Sequence, residues 1–547
     1  MRRRDFLKAS TLGAGVSILD GCTSPEEQFI VQRVRQTPQL PGETAWLPGV
    51  CRQCSAGCGI QVRVVDGNAK KIEGLEEHPV SLGGVCALGH SLLQELYNPD
   101  RLLRAQRLTG ERGSGELEAI DWDEAVASLA DSIGATPSDR IAIVGADRAG
   151  LQGALWRRFA DALGAPPPSF LEAPEVEVER AAARIALGAS DVPYFDLARA
   201  EYVLSIGSPL LDRWRSPVHY TRAYAEMRRG RATRRGKLVQ AEARMSLTAA
   251  NADEWLPIRP GTEGVLALAI AGHLLAEGGV GAVAAQRFRL LFPGAPPSLE
   301  AAAETCDVSE ELILHVAEEL ASSENAVVIG GGSAAAHTNG LFNVTAALGL
   351  NLLLDNLGEP GGVFAPVSFD LAQGVAPAGA GDTPVGDLAA RLRGQGTPVD
   401  LLIVADGDLL HVSPAGWGLR DAIGNVGTVV TFSSFLDDTT LHADLVLPVA
   451  TELERSDAVT PGVSVGVPAL SVVEPVVDPL GDGVHPADIL LQVAAALGEP
   501  IAGRFPWPEF EELIEERIEA ELARLPGGSD VTASAYLNAA MERGGIF

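Results

Sequence analysis

The sequence predicts an α/β fold built around parallel sheets and divided into three or four domains. A length of 547 residues, 46% of them hydrophobic, is enough to form several cores. Apolar runs with strand character alternate with helical stretches, which is typical of parallel sheets covered by helices on both faces. The runs are IAIVGA, YVLSIGS, KLVQAEA, AVVIGGG, DLLIVADGD, GTVVTFSS and ADLVLPV.

Three of the helical stretches have distinctive patterns. DWDEAVASLADSI begins with Asp121 and Glu124 in the spacing of a capping box. VLALAIAGHLLAEGG is interrupted by His273 and Glu277, so we expect a buried helix rather than a membrane span. The tail, 501–547, contains a helix whose apolar stripe predicts docking onto another surface. That stripe consists of Phe510, Leu513, Ile514, Ile518, Leu522 and Leu525.

The first residues, MRRRDFLKASTLGAGVSILDGC, have the features of an export signal, 1–22. Their apolar run is too short to cross a bilayer. Arg3 and Arg4 match a twin-arginine address, a route that carries proteins already folded around a cofactor. The box LDGC resembles a lipoprotein cleavage site, although Cys22 could also be an ordinary cysteine of the signal. We therefore predict a location in the periplasm or on the outer face of the cytoplasmic membrane, with a lipid anchor on Cys22.

Four of the six cysteines are close together in the sequence. The run CRQCSAGCGI contains Cys51, Cys54 and Cys58, and GGVCALGH adds Cys86 from a separate turn. This is how a chain surrounds a cuboidal cluster in which each of four irons takes one thiolate. A structural zinc and two disulfides are the alternatives, but the export route of folded proteins counts against disulfides. The pattern favours one [4Fe–4S] cluster in a domain spanning 44–104.

Glycine-containing loops follow three of the predicted strands, at 205–209, 330–333 and 405–408. Ligands of parallel sheets bind at the carboxyl ends of the strands, and glycine lets the backbone approach a ligand closely. For any single loop, an ordinary turn is the alternative. Three such loops together with a cluster indicate a cofactor-binding face.

The remaining composition excludes some classes of function. A formal net charge of −30 argues against binding nucleic acid and against electrostatic docking on anionic lipid. No nucleophile and base have a convincing spacing, so no hydrolytic site is predicted. His90 follows Cys86 and could tune a cluster through hydrogen bonds to sulfur, or it could be a loop histidine that faces water. His337, His411 and His442 lie in or beside loops, where a structural role is the default.

Together with the cysteines, two further segments resemble the molybdopterin oxidoreductase family: NADEWLPIRPGTEG and HADLVLPVATELER. The likeness runs from about Pro48 to about Gly498. In that family the cluster lies near a bis-molybdopterin guanine dinucleotide cofactor and exchanges electrons with it. The resemblance implies two α/β domains, one formed by 105–175 and 322–500 and the other, 176–321, inserted into it. It also implies that the dinucleotide would lie over four cofactor-binding residues: Gly207, Ser208, Gly407 and Asp408.

Three departures from the family pattern bear on the metal site. Leu88 stands where the family usually has a lysine or arginine between cluster and pterin. The segment PSFLEAPEVEVE lacks the expected cysteine ligand of molybdenum, and we expect its Ser169 and Glu172 to be turn or surface residues. The chain also ends at ERGGIF, so the C-terminal β-barrel domain that closes over the dinucleotides is expected to be absent and to come from another polypeptide.

A narrower resemblance follows from SFLDDTTLHADLVLP, ARMSLTAANADEWLPIRPGTEG and VVEPVVDP. These segments are similar to the molybdopterin-like subunit of alternative complex III and of menaquinone reductase complexes. The resemblance implies electron transfer through the one cluster, a lost molybdenum site and no catalytic residues. The implied partners are a ferredoxin-like iron–sulfur subunit, a multihaem cytochrome and an integral-membrane quinone-binding subunit. A catalytic molybdenum or tungsten subunit completed by a separate chain, and a structural scaffold, are the alternatives.

Overall fold

The computed structural model describes residues 42–146, 148, 150–229, 235–277, 280–523 and 539–547. The predicted signal, with Arg3, Arg4 and Cys22, lies outside the described residues. The described strands are β1 (Thr44–Cys51), β2 (Cys58–Val65), β3 (Asn68–Gly74), β4 (Gln106–Leu108), β5 (Leu117–Ala119), β6 (Ile141–Gly145), β7 (Ser169–Phe170), β8 (Tyr194–Phe195), β9 (Tyr202–Ile206), β10 (Lys237–Ala241), β11 (Glu254–Leu256), β12 (Ala326–Gly330), β13 (Val363–Phe364), β14 (Leu401–Ala405), β15 (Thr428–Phe432), β16 (Leu445–Leu447), β17 (Asp457–Val459) and β18 (Ser471–Val473).

The α-helices cover the sheets and connect most of their strands. Those described are α1 (Ala87–Leu96), α2 (Trp122–Ala135), α3 (Leu151–Leu163), α4 (Pro174–Leu187), α5 (Pro217–Arg229), α6 (Leu247–Asn251), α7 (Glu263–Glu277), α8 (Ala282–Leu291), α9 (Leu299–Cys306), α10 (Glu310–Ser322), α11 (Gly340–Leu353), α12 (Val385–Leu392), α13 (Leu409–Val412), α14 (Leu419–Ala422), α15 (Pro486–Leu497) and α16 (Phe510–Leu522). None of the described helices is long and apolar enough to cross a membrane.

The N-terminal sheet has the order β1-β2-β3, and β2 pairs antiparallel with β3. Its inward side chains, among them Ile60, Val62 and Ile72, pack against Leu92 and Leu96 of α1. Alternation of buried and less buried residues along β2 places one face of this sheet in the core. The sheet and α1 therefore form one packed unit that contains the cysteines.

A four-stranded sheet has the order β11-β10-β9-β12, and its three strand pairs are all parallel. Successive residues of β12 alternate between two cores: Val328 packs with α7, α10 and α11 on one face, and Val327 packs with α4 and α5 on the other. The structure differs here from the predicted boundary at 321, because β12 pairs with β9 and α11 packs against α4 and α7. The inserted sheet thus continues past 321, and the rest of the domain division stays a prediction.

A seven-stranded sheet has the order β5-β4-β16-β15-β14-β6-β7. Its strands from β16 to β7 are parallel, and β4 joins β16 antiparallel. Leu401 and Ile403 enter one core, with α2, α3 and α15, while Leu402 and Val404 enter the core on the other face. Helices therefore cover both faces, as the strand runs predicted. All seven predicted runs form strands of the two larger sheets.

Two of the predicted helices differ from expectation in detail. Helix α2 begins after Asp121 as predicted, but Asp121 makes no side-chain cap, and Glu124 instead accepts a hydrogen bond from Arg107 at 2.7 Å. The apolar stripe of α16, as far as it is described, packs against the protein's own core and not against a separate surface. Phe510, Leu513, Ile514 and Ile518 are buried in the same core as α15.

Candidate functional site

The four predicted cluster ligands stand at the ends of elements in the N-terminal sheet. Cys51 is the last residue of β1, Cys58 is the first residue of β2, and Cys54 lies in the turn between these strands. Cys86 precedes α1 in extended conformation, at its N-cap position. Cys51 and Cys58 are buried, Cys86 is half-buried and Cys54 is exposed. The fold therefore brings three consecutive cysteines and a distant fourth to one edge of the domain.

The thiols are close enough to influence one another. Burial raises the pKa of the Cys58 thiol to about 12, and the neighbouring Cys54 and Cys86 add to the rise. Burial likewise raises the pKa of Cys51, to which Cys58 and Cys54 contribute, and that of Cys54, to which Cys86 contributes. These three thiols would be costly to ionise as free groups, and ligation removes that cost, since a metal holds its cysteine ligands as thiolates.

The geometry also separates the cluster from its two alternatives. All four cysteines are free thiols, so neither of the predicted alternative disulfides is formed. A tetrahedral zinc with bonds of ~2.3 Å would hold its sulfurs about 3.8 Å apart. Among described residues, the groups of three ligand atoms that lie within 4.8 Å of one another include no cysteine. Four thiols that converge from one loop and one helix start are the donor set that a four-iron cube takes, so these residues fit the cluster.

Helix α1 is aimed at the cysteines. An atom placed as Cβ on its Gly89 would lie 3.8 Å from the Cys51 sulfur, an ordinary contact distance, and 2.4 Å from Val85 Cγ2, so the glycine leaves room for Val85 while the first turn of the helix lies next to that sulfur. The N-terminus of a helix carries partial positive charge, which favours a negatively charged cluster. Leu88, in the first turn, is 50% exposed and supplies no charge. The helix end is therefore the local positive contribution on this side of the cysteines.

The carboxyl groups of Glu95 and Glu452 flank the cysteine loop, which is the segment from Cys51 to Cys58. Gln53, between Cys51 and Cys54, donates from Nε2 to Glu95 Oε2 of α1 at 2.6 Å, and the same nitrogen lies 3.4 Å from Glu452 Oε1. Burial, followed by the neighbouring Glu452, raises the pKa of Glu95 to about 7. Burial also raises the pKa of Glu452. The amide of Gln53 thus lies between two carboxyl groups that each oppose ionisation of the other.

The nearest arginines are already paired with other carboxylates. Arg52 Nη1 donates to Asp457 Oδ2 at 2.6 Å, and Arg455 Nη2 donates to Asp406 Oδ2 at 3.2 Å. Burial opposes ionisation of Asp457, but Arg52, His485 and Arg455 outweigh it and hold its pKa below the usual range. The first pair connects the cysteine loop to β17, and the second connects the segment before β17 to the loop after β14.

The predicted cofactor residues Gly207 and Ser208 follow β9 at the carboxyl edge of the four-stranded sheet. Gly207 has φ +75°, and a Cβ there would lie 2.6 Å from the backbone nitrogen of Ala334. Its carbonyl accepts a hydrogen bond from Ser333 N at 3.0 Å. The Ser208 hydroxyl is buried without a protein partner, as is Gln240 Oε1 beside it. Backbone of the same chain therefore covers Gly207, while a few polar atoms below it are unpaired.

Gly407 and Asp408 follow β14 at the carboxyl edge of the seven-stranded sheet. A Cβ on Gly407 would lie 2.7 Å from Leu171. Asp408 Oδ1 accepts from Thr439 Oγ1 at 2.6 Å and from Thr439 N at 3.1 Å, and its Oδ2 accepts from Asp438 N at 3.1 Å. The carboxylate is thus engaged by its own chain. As arranged here, Gly207 and Asp408 do not offer free groups to a dinucleotide.

Ser169 and Glu172, from the segment that lacks the cysteine ligand of molybdenum, make contacts within the protein. Ser169 is buried in β7, so the expectation of a turn or surface position was wrong. Glu172 accepts from both terminal nitrogens of Arg180, at 2.9 and 3.0 Å. Cys306 is the buried last residue of α9, and His90 is exposed. Within the described residues, no side-chain hydrogen bond or ion pair joins any of these four to the loop that carries Cys51, Cys54 and Cys58.

Several polar residues near these loops make contacts that were not predicted from the sequence. Glu179 of α4 accepts at Oε1 from Gly332 N and from Trp214 Nε1, both at 2.8 Å, and faces Arg215 at 3.5 Å. PEVEVERAAARIAL contains three glutamates, and nothing in the sequence indicates that Glu179 is the one that will be buried. Gln53 could have been noticed, because it lies inside the cysteine motif, but its partner Glu452 lies 399 residues away.

Comparison with known families gives two matches. The sequence model described as molybdopterin oxidoreductase matches residues 96–495. The model described as molybdopterin oxidoreductase Fe4S4 domain matches residues 44–98, which contain Cys51, Cys54, Cys58 and Cys86. The resemblance predicted between about 48 and 498 is confirmed, and so is the fold class.

Individual relatives agree with the family matches. The molybdopterin-binding-like subunit of menaquinone reductase from Nitratidesulfovibrio vulgaris is 30% identical over 91% of this chain and 72% of its own length. The molybdopterin-containing subunit of thiosulfate reductase from Salmonella typhimurium is 24% identical over 93% of this chain and 70% of its own. Acetylene hydratase from Pelobacter acetylenicus shares the fold, with a TM-score of 0.76 at 19% identity, over 90% of this chain and 73% of that one.

Proposed function

Because the chain belongs to the molybdopterin oxidoreductase family, we propose that it is an iron–sulfur subunit of a membrane-associated respiratory complex that oxidises quinol or reduces quinone. Cys51, Cys54, Cys58 and Cys86 hold its [4Fe–4S] cluster, which supplies one-electron transfer. The observation that carries the proposal is the convergence of these four free thiols at one edge of the N-terminal sheet. The rest of the chain positions them and docks the neighbouring subunits.

The proposal includes the loss of the molybdenum site. Leu88 is an exposed, uncharged residue at the start of α1, so no side-chain cation stands there between cluster and pterin. Glu172 is held by Arg180, and Asp408 is held by Thr439 and Asp438. These contacts support the proposal that the chain has kept the family fold and that its own groups now engage the residues which could otherwise hold a cofactor.

The proposed setting is the outer side of the cytoplasmic membrane. Export depends on Arg3 and Arg4, and a lipid on Cys22 anchors the chain. The partners are a ferredoxin-like iron–sulfur subunit, a multihaem cytochrome and an integral-membrane quinone-binding subunit. The similarity to a subunit of menaquinone reductase supports a multisubunit respiratory complex of this kind.

A second candidate is a catalytic molybdenum or tungsten subunit completed by a separate chain. The similarity to the thiosulfate reductase subunit favours it. So do the unpaired Ser208 hydroxyl and Gln240 carbonyl, which lie buried at the edge where the family binds its dinucleotide. A structural scaffold is the third reading, in which the cluster holds the domain together without passing electrons.

Metal analysis combined with EPR of the purified complex distinguishes these functions. We expect about four irons per chain, no stoichiometric molybdenum or tungsten, and a reducible cluster signal. Molybdenum or tungsten near one atom per chain would establish the second candidate instead. A cluster that stays oxidised at every physiological potential would leave the structural scaffold as the remaining candidate function.

A further inference from the structure

The carboxyl groups of Glu95 and Glu452 form a pair beside the cysteine loop that has no cation of its own. Gln53 donates from one amide nitrogen toward both, at 2.6 Å to Glu95 and at 3.4 Å to Glu452. Within the described part of the chain, neither glutamate takes part in an ion pair. Two adjacent carboxyl groups in a partly buried place cannot both ionise without cost, so such a pair tends to retain one proton.

Burial is the main cause of this tendency, and it outweighs the cations nearby. Glu95 is faced by Asp406 as well as by Glu452, and Arg455 is the cation that acts on it. Glu452 is faced by Arg455, Asp406 and Arg52. Both arginines are already bound to carboxylates, Arg52 to Asp457 and Arg455 to Asp406. The cations therefore compensate other acids, and the glutamate pair keeps a high proton affinity near neutral pH.

The pair is also electrostatically linked to the cysteines. The negative charge of Glu452 is felt at the Cys51 thiol, and Gln53 belongs to the loop between Cys51 and Cys54. An electron added to a centre held by these cysteines places one more negative charge in the same region. Negative charge nearby favours the protonated form of a carboxyl group.

We propose that the Glu95–Glu452 pair is a proton-binding site coupled to the redox state of the four-cysteine centre. The inference rests on the proposed function, because it requires a reducible cluster. When a one-electron donor, such as a neighbouring iron–sulfur or haem group, reduces the centre, the pair takes up one proton from solvent. When the electron leaves, the pair releases that proton. Thermodynamic coupling is reciprocal, so protonation of the pair in turn favours reduction.

The test is a redox titration of the cluster-bearing protein, followed by EPR from about pH 5 to about pH 9. In wild type we expect the midpoint potential to fall with rising pH, by up to about 59 mV per unit in the range where the pair titrates. Glu95→Gln and Glu452→Gln each remove one carboxyl group and should flatten that slope. Glu73→Gln, which changes an exposed carboxyl group on β3 of the same sheet, should keep it.

A pH-independent potential in wild type would overturn the proposal, and so would a wild-type slope in both glutamine variants. Should a variant fail to assemble, the redox-difference infrared spectrum of wild type still decides: we expect a carboxylic-acid carbonyl band to grow on reduction, and its absence contradicts the site. A cluster that cannot be reduced refutes the proposed function together with this inference. A cluster that is reduced at a pH-independent potential refutes this inference alone.

Discussion

Arg52 Nη1 donates a hydrogen bond to Asp457 Oδ2 at 2.6 Å, joining the cysteine loop to a strand 405 residues later. Both side chains are almost fully buried, and His485 lies 3.7 Å from the same oxygen. This contact ties the domain that holds the cysteines to the C-terminal part of the chain. Its loss would leave a buried carboxylate without its hydrogen-bonded arginine, which is far more costly than the loss of a surface pair.

We therefore expect Arg52→Met to lower the free energy of unfolding by about 3 to 5 kcal/mol, measured by urea unfolding. Arg244→Met is the matched control, because Arg244 is exposed and lies 3.7 Å from Asp212. The control should change stability by no more than about 0.5 kcal/mol. Equal effects of the two variants would show that the Arg52–Asp457 pair does not hold the two parts together.

The cysteines predict a sharp difference between ligands and non-ligands. Cys51→Ser, Cys58→Ser and Cys86→Ser should each abolish or strongly reduce the cluster signal and lower the iron content from about four per chain, because each removes one thiolate. Iron analysis and EPR of the reduced protein measure both. Cys306→Ser is the control: this buried thiol donates only to Thr262 O, which a hydroxyl can also do. Loss of iron in the Cys306 variant would contradict the assignment.

Much of this site could be predicted because its pattern is local. Three cysteines stand in one decapeptide, and their spacing alone limits what they can bind. The strands of the two larger sheets were equally readable, since runs such as IAIVG and LLIVA are buried on both faces and so are apolar throughout.

The rest depends on contacts that the sequence does not reveal. The pairing of Arg52 with Asp457, and of Gln53 with Glu452, joins residues that only the folded chain brings together. The boundary at 321 was misplaced because an apolar run such as AVVIG does not show which parallel sheet it will join. Ser169 was misjudged for a similar reason: a serine in a short edge strand has the same composition as a serine in a turn.

His78 predicts a pH dependence of stability. It is fully buried, it accepts from Val80 N at Nδ1, 3.2 Å away, and its Nε2 lies 3.1 Å from Ser471 Oγ. Burial lowers the pKa of His78 to about 4, below the value of about 6.5 that an unfolded histidine has. Between these values the unfolded chain binds the proton and the folded chain does not. Stability from His78 is therefore complete above about pH 6.5 and is lost as pH falls toward about 4.

The size of this effect is at most about 3.5 kcal/mol, because one pKa unit corresponds to about 1.4 kcal/mol. Urea unfolding of wild type and of His78→Asn at about pH 7 and about pH 4.5 isolates it, since other acids titrate alike in both proteins. We expect the stability difference between wild type and variant to shrink at the lower pH. His90→Asn, which changes an exposed histidine, should show the same pH dependence of stability as wild type. If the stability difference between wild type and variant is the same at both pH values, His78 binds its proton equally in the folded and unfolded chain, and burial does not lower its pKa.

Gly207 gives the last prediction, because its conformation and its surroundings both require glycine. Its φ is +75°, and an added Cβ would lie 2.6 Å from Ala334 N, a backbone atom that cannot turn away. Gly207→Ala should therefore destabilise the protein by more than about 1 kcal/mol in urea unfolding. In α2, a Cβ on Gly134 meets nothing within 4 Å, so Gly134→Ala should stabilise by up to about 1 kcal/mol. A neutral Gly207→Ala would mean that this loop is free to move away from Ala334 and open toward a ligand.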